Sequence, residues 1–124
     1  MDLEEEDWHE IRVLDNRIQR GAALALTPEV RELLLRTAPT VGISEAEAAL
    51  GGVESAVALL SAIRRRITDG SNRLSDALHR MYRLRDAGRM EEARQQMRDV
   101  LSVEAVPLYR EIAEGELEKL HKAG

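Results

Sequence analysis

A run of apolar residues spaced seven apart constrains the fold of this chain more than any other feature. A second, mostly apolar set lies three residues after each member, as in a heptad repeat. The seven-residue positions are Val53, Leu60, Ile67, Leu74 and Met81. A single helix from Val53 to about Asp86 keeps this phase throughout, and at 1.5 Å per residue it is roughly 50 Å long.

The middle of this run contains a polar, basic segment that has the composition of a turn. It reads RRRITDGSNRL over residues 64–74, and a basic turn there could hold phosphate. The alternative to a continuous helix is therefore a break after Asp69. A turn has no reason to preserve heptad phase, yet Ile67 and Leu74 stay in step. We therefore predict a continuous helix with Gly70 on its apolar seam, where the missing side chain lets a partner backbone approach.

The composition favours helices over strands. The chain has 124 residues, about one domain, with one Trp, two Tyr and no Phe. Sheets favour aromatic and β-branched residues, whereas a core of Leu, Ala, Val and Ile suits the packing of helix on helix. We therefore predict a single all-α domain, bundle-like, in which a long antiparallel helical hairpin is covered by two shorter N-terminal helices.

Capping patterns predict where the helices begin. Asp7 with Glu10 resembles a capping box, Thr27 precedes a proline suited to the first helical position, and Ser44 with Glu47 is a second capping box. A turn near Gly88 then closes the hairpin. The predicted organisation is an acidic, disordered tail (1–6), two short helices (7–40) and the hairpin (44–121).

The return helix of the hairpin contains a proline, Pro107, inside its apolar stripe. No residue before it is a good N-cap, so we predict that Pro107 kinks the helix and does not start a new one.

The predicted hairpin has a register that can be read from charge. A turn centred near Gly88 brings together residues whose numbers sum to about 176. Arg66 with Glu111 and Arg73 with Glu104 both sum to 177. Exposed pairs of this kind contribute well under about 1 kcal/mol each. We expect Arg73→Glu to destabilise the chain slightly and the added change Glu104→Arg to restore it.

Charge is unevenly distributed, and it suggests a candidate functional face. The net charge is −5, but residues 63–98 carry 10 basic and 5 acidic groups. Overall acidity, interleaved aspartates and few aromatics count against nucleic-acid binding. The binding of RNA through residues 64–89 is therefore the less favoured alternative. The candidate interaction or ion-pair face comprises Arg64, Arg65, Arg66, Arg73, Arg80, Arg83, Glu104 and Glu111.

The sequence carries no motif of an enzyme or of a cofactor site. It has no cysteine, no phosphate-binding glycine loop and no nucleophile motif. Each of its three histidines follows an acidic residue by three positions, as in di-iron sites, but His79 falls on an outward heptad position. We therefore expect no catalysis, no metal and no cofactor. The acidic N-terminus is unlike a secretory signal and no apolar run could cross a membrane, which predicts a cytoplasmic location.

The chain from Val53 to Leu120 resembles the DUSAM domain, a family of small paralogous proteins from myxobacteria. The resemblance lies in the segments VESAVALLSAIRRRI, DGSNRL, YRLRDAGRMEEAR and VLSVEAVPLYREIAEGELEKL. It implies no activity, because the function of that family is undefined, and it supplies no site residues. The stretch LRDAGRMEEARQQM also looks like part of a tetratricopeptide repeat, but no second copy follows.

These observations favour a non-catalytic helical module for protein–protein interaction, such as an adaptor or regulatory subunit, whose protein partner the sequence does not identify. The long apolar seam of the hairpin also favours self-association, for example as a dimer.

Overall fold

The computed structural model describes residues 3–123 and shows an all-α, bundle-like fold, as predicted from composition. No strand occurs within those residues. A short 3₁₀ helix spans Pro39–Val41. The α-helices are α1 (Leu3–Gln19), α2 (Pro28–Thr37), α3 (Ala46–Ala49), α4 (Val53–Asp86), α5 (Met90–Val103) and α6 (Pro107–Ala123). None of these helices is both long enough and apolar enough to cross a membrane.

Helix α4 is one uninterrupted helix, so the segment Asp69–Asn72 is helical and not a turn. The heptad positions explain this, because Leu60, Ile67, Leu74 and Met81 are all buried, and Val53 is half exposed at the start of the helix. The chain forms two compact units, Met1–Ile67 and Thr68–Gly124. Helix α4 contributes its first part to the first unit and its remainder to the second.

In the first unit, α2 starts and ends where its sequence signals lie. The Thr27 hydroxyl accepts a hydrogen bond from the Val30 amide at 3.2 Å, and Pro28 occupies the first helical position. The helix stops at Thr37, ahead of Pro39. The largest fully buried aliphatic side chains of this unit are Ile11, Leu34, Val41, Leu60, Ile63 and Ile67.

Two predicted boundaries in the first unit are wrong. Helix α1 begins at Leu3 and not at Asp7, so residues 3–6, predicted to be disordered, are helical. The first two residues of that predicted tail lie outside the described residues. The hairpin also starts at Val53 and not at residue 44. Glu45 has a left-handed φ of 57°, which prevents Ser44 from capping a helix, and α3 is a single turn that ends before Gly51.

In the second unit, the chain reverses at Gly88, where φ is +78°. Arg89 donates its amide hydrogen to the Leu84 carbonyl at 2.8 Å, closing the turn between α4 and α5. Arg80 then donates from Nε to Gln96 Oε1 at 2.7 Å. Their numbers sum to 176, which is the register that the turn at Gly88 predicts.

The predicted kink at Pro107 is wrong, because the return helix ends and a new one begins. Helix α5 stops at Val103, Glu104 is extended with φ −74° and ψ 129°, and α6 starts at Pro107. A proline disfavours helical backbone in the residue before it and suits the first helical position. Arg110 stabilises the break, because its Nη1 donates to the Leu101 carbonyl at 2.7 Å and to that of Glu104 at 2.9 Å.

Helix α6 packs against α5, so the second unit is a three-helix arrangement in place of a simple hairpin. Arg94 of α5 donates to the Leu120 carbonyl near the end of α6 at 3.3 Å. The buried hydrophobic residues of the unit lie on all three helices and on the α5–α6 connection. They are Leu74, Ala77, Met81, Ala93, Met97, Val100, Val106, Tyr109, Ala113 and Leu120.

Candidate functional site

The predicted arginine face contributes hydrogen bonds to the first unit itself. Arg64 donates from Nη1 to the Arg12 carbonyl at 3.3 Å, and Arg65 donates from Nη2 to Ser61 Oγ at 3.3 Å. Arg66 donates from Nη1 to the carbonyls of Val41 and Gly42, both at 3.0 Å.

The partners of Arg66 are therefore backbone oxygens at the end of the 3₁₀ helix, where the hairpin register predicted the carboxylate of Glu111. Glu111 is exposed on α6. This part of the predicted register is wrong because the return helix ends at Val103, so a register counted from Gly88 does not extend to residue 111.

The arginines of the second unit also have partners within it, with one exception. Arg73 donates from Nη1 to Glu104 Oε1 at 2.7 Å, which is the predicted pair. Arg80 bonds to Gln96, as described above. Arg83 is exposed, and its guanidinium has no hydrogen bond or ion pair with the residues that the structure describes. The arginine-rich stretch thus mainly holds the fold together.

Glu104 joins two elements of the second unit through one buried carboxylate. Its side chain is 2% exposed, whereas the sequence predicted an exposed pair. Oε1 accepts from Arg73, and Oε2 accepts from the amides of Ala105 at 3.1 Å and Val106 at 3.0 Å. The amides that precede and open a helix need acceptors, and a negative charge there is favourable. Glu104 therefore satisfies the two amides immediately before α6, a role that the sequence did not reveal, because glutamate is not a common N-cap residue.

Gly70 lies where α6 and the Glu104 connection meet α4. A Cβ atom at this position would lie 2.6 Å from Tyr109 Cδ2 and 3.0 Å from Glu104 Oε1. Glycine is therefore required for close contact, as predicted, but the group that approaches is the Tyr109 ring and not a partner backbone. Tyr109 is 7% exposed, so its ring is part of the buried seam.

Two ion-pair clusters lie outside the predicted face, and each shifts the pKa of one residue. The Glu91 carboxylate accepts from Arg98 at 2.6 Å and from Arg94 at 3.1 Å, and these hydrogen bonds lower the pKa of Glu91. Asp7 accepts two hydrogen bonds from Arg36, at 2.9 and 3.0 Å, and this pairing raises the pKa of the Arg36 guanidinium. Both clusters link side chains within one unit and add no site.

The first unit has an apolar groove that the sequence did not predict, which we name the Leu35 groove. Its apolar lining consists of Leu35, Pro39, Ile43 and Ala46, and its charged lining consists of Glu45 and Glu47. The groove has a volume of about 580 Å³, and Leu35 is 37% exposed within it. No periodic pattern marks it, because residues 42–45 are irregular and Glu45 adopts its left-handed backbone without a sequence signal.

A second groove lies between α1 and α2 and has mixed charge. Val13, Leu14, Val30 and Leu33 line it together with Glu10, Glu29 and Arg17, and its volume is about 260 Å³. Within residues 3–123 no group of three or more histidine and acidic side chains is arranged to hold a metal ion.

The comparisons with known proteins identify a family but no activity. A family model described as a protein of unknown function (DUF2379) matches residues 6–120, which is most of the chain. Neither the curated proteins nor the solved structures gave a match.

Proposed function

The chain belongs to the DUF2379 family, and because that family has no known function, we propose from the residues of this chain that it is a non-catalytic helical module that binds another protein. An adaptor or regulatory subunit acts in this way.

The observation that carries this proposal is the Leu35 groove. Leu35 and Ile43 are large aliphatic residues that remain partly exposed at a concave surface. Concave sites lined mainly by apolar side chains are typical binding sites, and exposed apolar patches often mark protein contacts. The groove is formed by α2, the segment that follows it and the start of α3.

Nucleic-acid binding is the second candidate, favoured by one observation. Tyr82 is 38% exposed beside Arg83, and the Arg85 guanidinium lies 4.9 Å from the centroid of its ring. Aromatic rings with arginines bind single-stranded nucleic acids by stacking and charge. This candidate has less support because the guanidinium groups of Arg66, Arg73 and Arg80 already donate to acceptors in the protein.

Four predictions from the sequence remain part of this proposal. They are the resemblance to the DUSAM domain, a cytoplasmic location, self-association as a dimer, and function without a cofactor. The Leu35 groove is proposed independently of all four.

Affinity purification from native lysate tests the proposal, with the wild-type chain compared with Leu35→Ser. The matched control is Val103→Ser, which makes a similar change at an aliphatic residue that is 62% exposed in the other unit. We expect a definite protein to be retained by wild type and Val103→Ser and to be lost from Leu35→Ser. Capture of the same proteins by all three chains would contradict the proposal. Co-purification of nucleic acid in an amount that falls steeply as salt is added would also contradict it.

A further inference from the structure

We propose that the Leu35 groove binds a basic peptide segment of the partner protein, in which one large apolar side chain lies between lysine or arginine residues. This inference rests on the proposed function and specifies its partner. It is drawn from the shape, the charge and the backbone of the groove.

The apolar part of the groove fits a side chain of the partner. Leu35 from α2 and Pro39, Ile43 and Ala46 from the following segment contribute aliphatic surface to one concavity. The volume of about 580 Å³ lies within the range of sites that take a peptide side chain or small ligand. An aliphatic or aromatic side chain placed there would remove apolar surface from water on both partners.

The charge of the groove selects the residues that flank that side chain. Both charged residues in its lining, Glu45 and Glu47, are exposed carboxylates with no cationic partner among the described residues. Arg66 lies near the groove, because it donates to the Gly42 carbonyl, and it keeps its positive charge, because its acceptors are uncharged backbone oxygens. The two carboxylates of the lining outnumber this one cation, so the charge at the groove complements lysine or arginine and opposes acidic segments.

The backbone of Glu45 is a third, independent observation. Its φ of 57° is left-handed, a conformation that is unfavourable for any residue with a Cβ atom, and its side chain makes no capping hydrogen bond. Asparagine or glycine would adopt this backbone more easily. Non-glycine residues with a left-handed backbone often occur at functional sites, and here the unfavourable residue is one that supplies a carboxylate to the groove.

The groove between α1 and α2 does not give a comparable inference. Its volume is about 260 Å³ against about 580 Å³ for the Leu35 groove, and Arg17 is part of its lining itself, beside Glu10 and Glu29.

Fluorescence anisotropy with synthetic peptides tests the proposal on the full chain. The probe is a short labelled peptide of lysine and serine with a single central leucine. One comparison peptide has glutamate in place of each lysine, and the other has serine in place of leucine. We expect the probe to bind roughly tenfold more tightly than either comparison peptide at low ionic strength, and this preference to shrink as salt is added.

Variants of the groove separate charge from folding. Glu45→Asn with Glu47→Gln removes both carboxylates, and asparagine suits the left-handed backbone, so the fold is expected to be at least as stable at that residue. This double variant should lose most of the preference for lysine. The control Glu54→Gln removes an exposed carboxylate of the same unit that does not line the groove, and it should behave as wild type.

Equal binding of the probe to wild type and to the double variant would overturn the inference. Preference for the acidic peptide would also overturn it. So would sedimentation of the wild-type chain as a dimer that the Leu35→Ser variant does not form, because the groove would then be occupied by a second copy of the chain. If the inference fails in this way while Leu35→Ser still loses a protein partner, the proposed function stands. If no peptide and no protein depends on Leu35, both fail.

Discussion

At the scale of single residues, Gly70 shows how one missing side chain determines the packing of its neighbours. The heptad pattern places it on the apolar seam, and the structure places the Tyr109 ring and the Glu104 carboxylate against it. Sequence alone identified the position. It could not identify the partners, because Tyr109 reaches Gly70 only after the chain has reversed twice, at Gly88 and at Glu104–Val106.

Replacing Gly70 by alanine tests this contact. Alanine is a better helix former than glycine by about 1 kcal/mol, but its Cβ would lie 2.6 Å from the buried Tyr109 ring. We expect Gly70→Ala to lower the free energy of unfolding by about 1–3 kcal/mol, because overpacking outweighs helix propensity. Urea denaturation followed by circular dichroism measures the change.

Gly115→Ala is the matched control for this prediction. Gly115 also lies within a helix, α6, and a Cβ atom there would have no neighbour within 4 Å. This variant should raise the free energy of unfolding by up to about 1 kcal/mol. If both glycines gave the same stabilisation, Tyr109 would not pack on Gly70 as described.

At the scale of elements, the break between α5 and α6 depends on Glu104. Truncation to Glu104→Ala removes the acceptor of two amides at the start of α6 and the partner of Arg73. Arg73 is 38% exposed and can be rehydrated, so we expect a loss of about 2–3 kcal/mol, below the range for a fully buried pair. Thermal or urea unfolding measures it. Glu111→Ala, at an exposed glutamate of α6, should change stability by no more than about 0.5 kcal/mol.

The exchange of charges between Arg73 and Glu104 has a different expected result from the one that the sequence suggested. An exposed pair could be reversed, but Glu104 is buried and bonds to backbone amides. An arginine at position 104 would place a cation against these amides, which is unfavourable. We therefore expect Arg73→Glu combined with Glu104→Arg to be less stable than Arg73→Glu alone. Recovery of stability in the double variant would show that the Glu104 carboxylate does not stabilise the fold by accepting from the Ala105 and Val106 amides.

The ion-pair cluster at the start of α5 predicts a dependence on pH. Hydrogen bonds from Arg98 and Arg94 lower the pKa of Glu91 in the folded chain. A carboxyl with a depressed folded pKa stabilises the fold above its unfolded pKa, and this contribution is lost as pH falls through the folded pKa. Carbon-13 NMR titration should therefore find the pKa of Glu91 below the ordinary glutamate range. Arg98→Gln should raise it, and an unchanged pKa in that variant would contradict the assignment.

At the scale of the whole molecule, the sequence predicted the helices better than the surface. Periodicity was sufficient for the all-α class and for α4, because buried positions such as Ile67 and Leu74 repeat in phase. The boundaries at Glu45 and Glu104 were missed because each depends on an unusual conformation or cap formed by a glutamate. The Leu35 groove was missed because it is formed by an irregular segment, where no repeat indicates which residues face each other.

The distribution of charge also has a different meaning in the folded chain than in the sequence. The basic stretch suggested a surface for anions, but Arg64, Arg66, Arg73 and Arg80 donate to acceptors within the protein. The unpaired charge at a concave apolar surface is instead negative, at Glu45 and Glu47. For this reason we propose a basic protein segment, and not an anion, as the partner.

The basic stretch is one continuous helix whose arginines support the fold. Backbone carbon-13 chemical shifts from Arg66 to Leu74 measure whether this helix is continuous. A continuous helix predicts Cα shifts on the helical side of random-coil values at every residue, including Asp69, Gly70 and Ser71. Random-coil or extended shifts at those three residues would contradict it, because a turn there would release both the Gly70 contact and the Arg73–Glu104 pair.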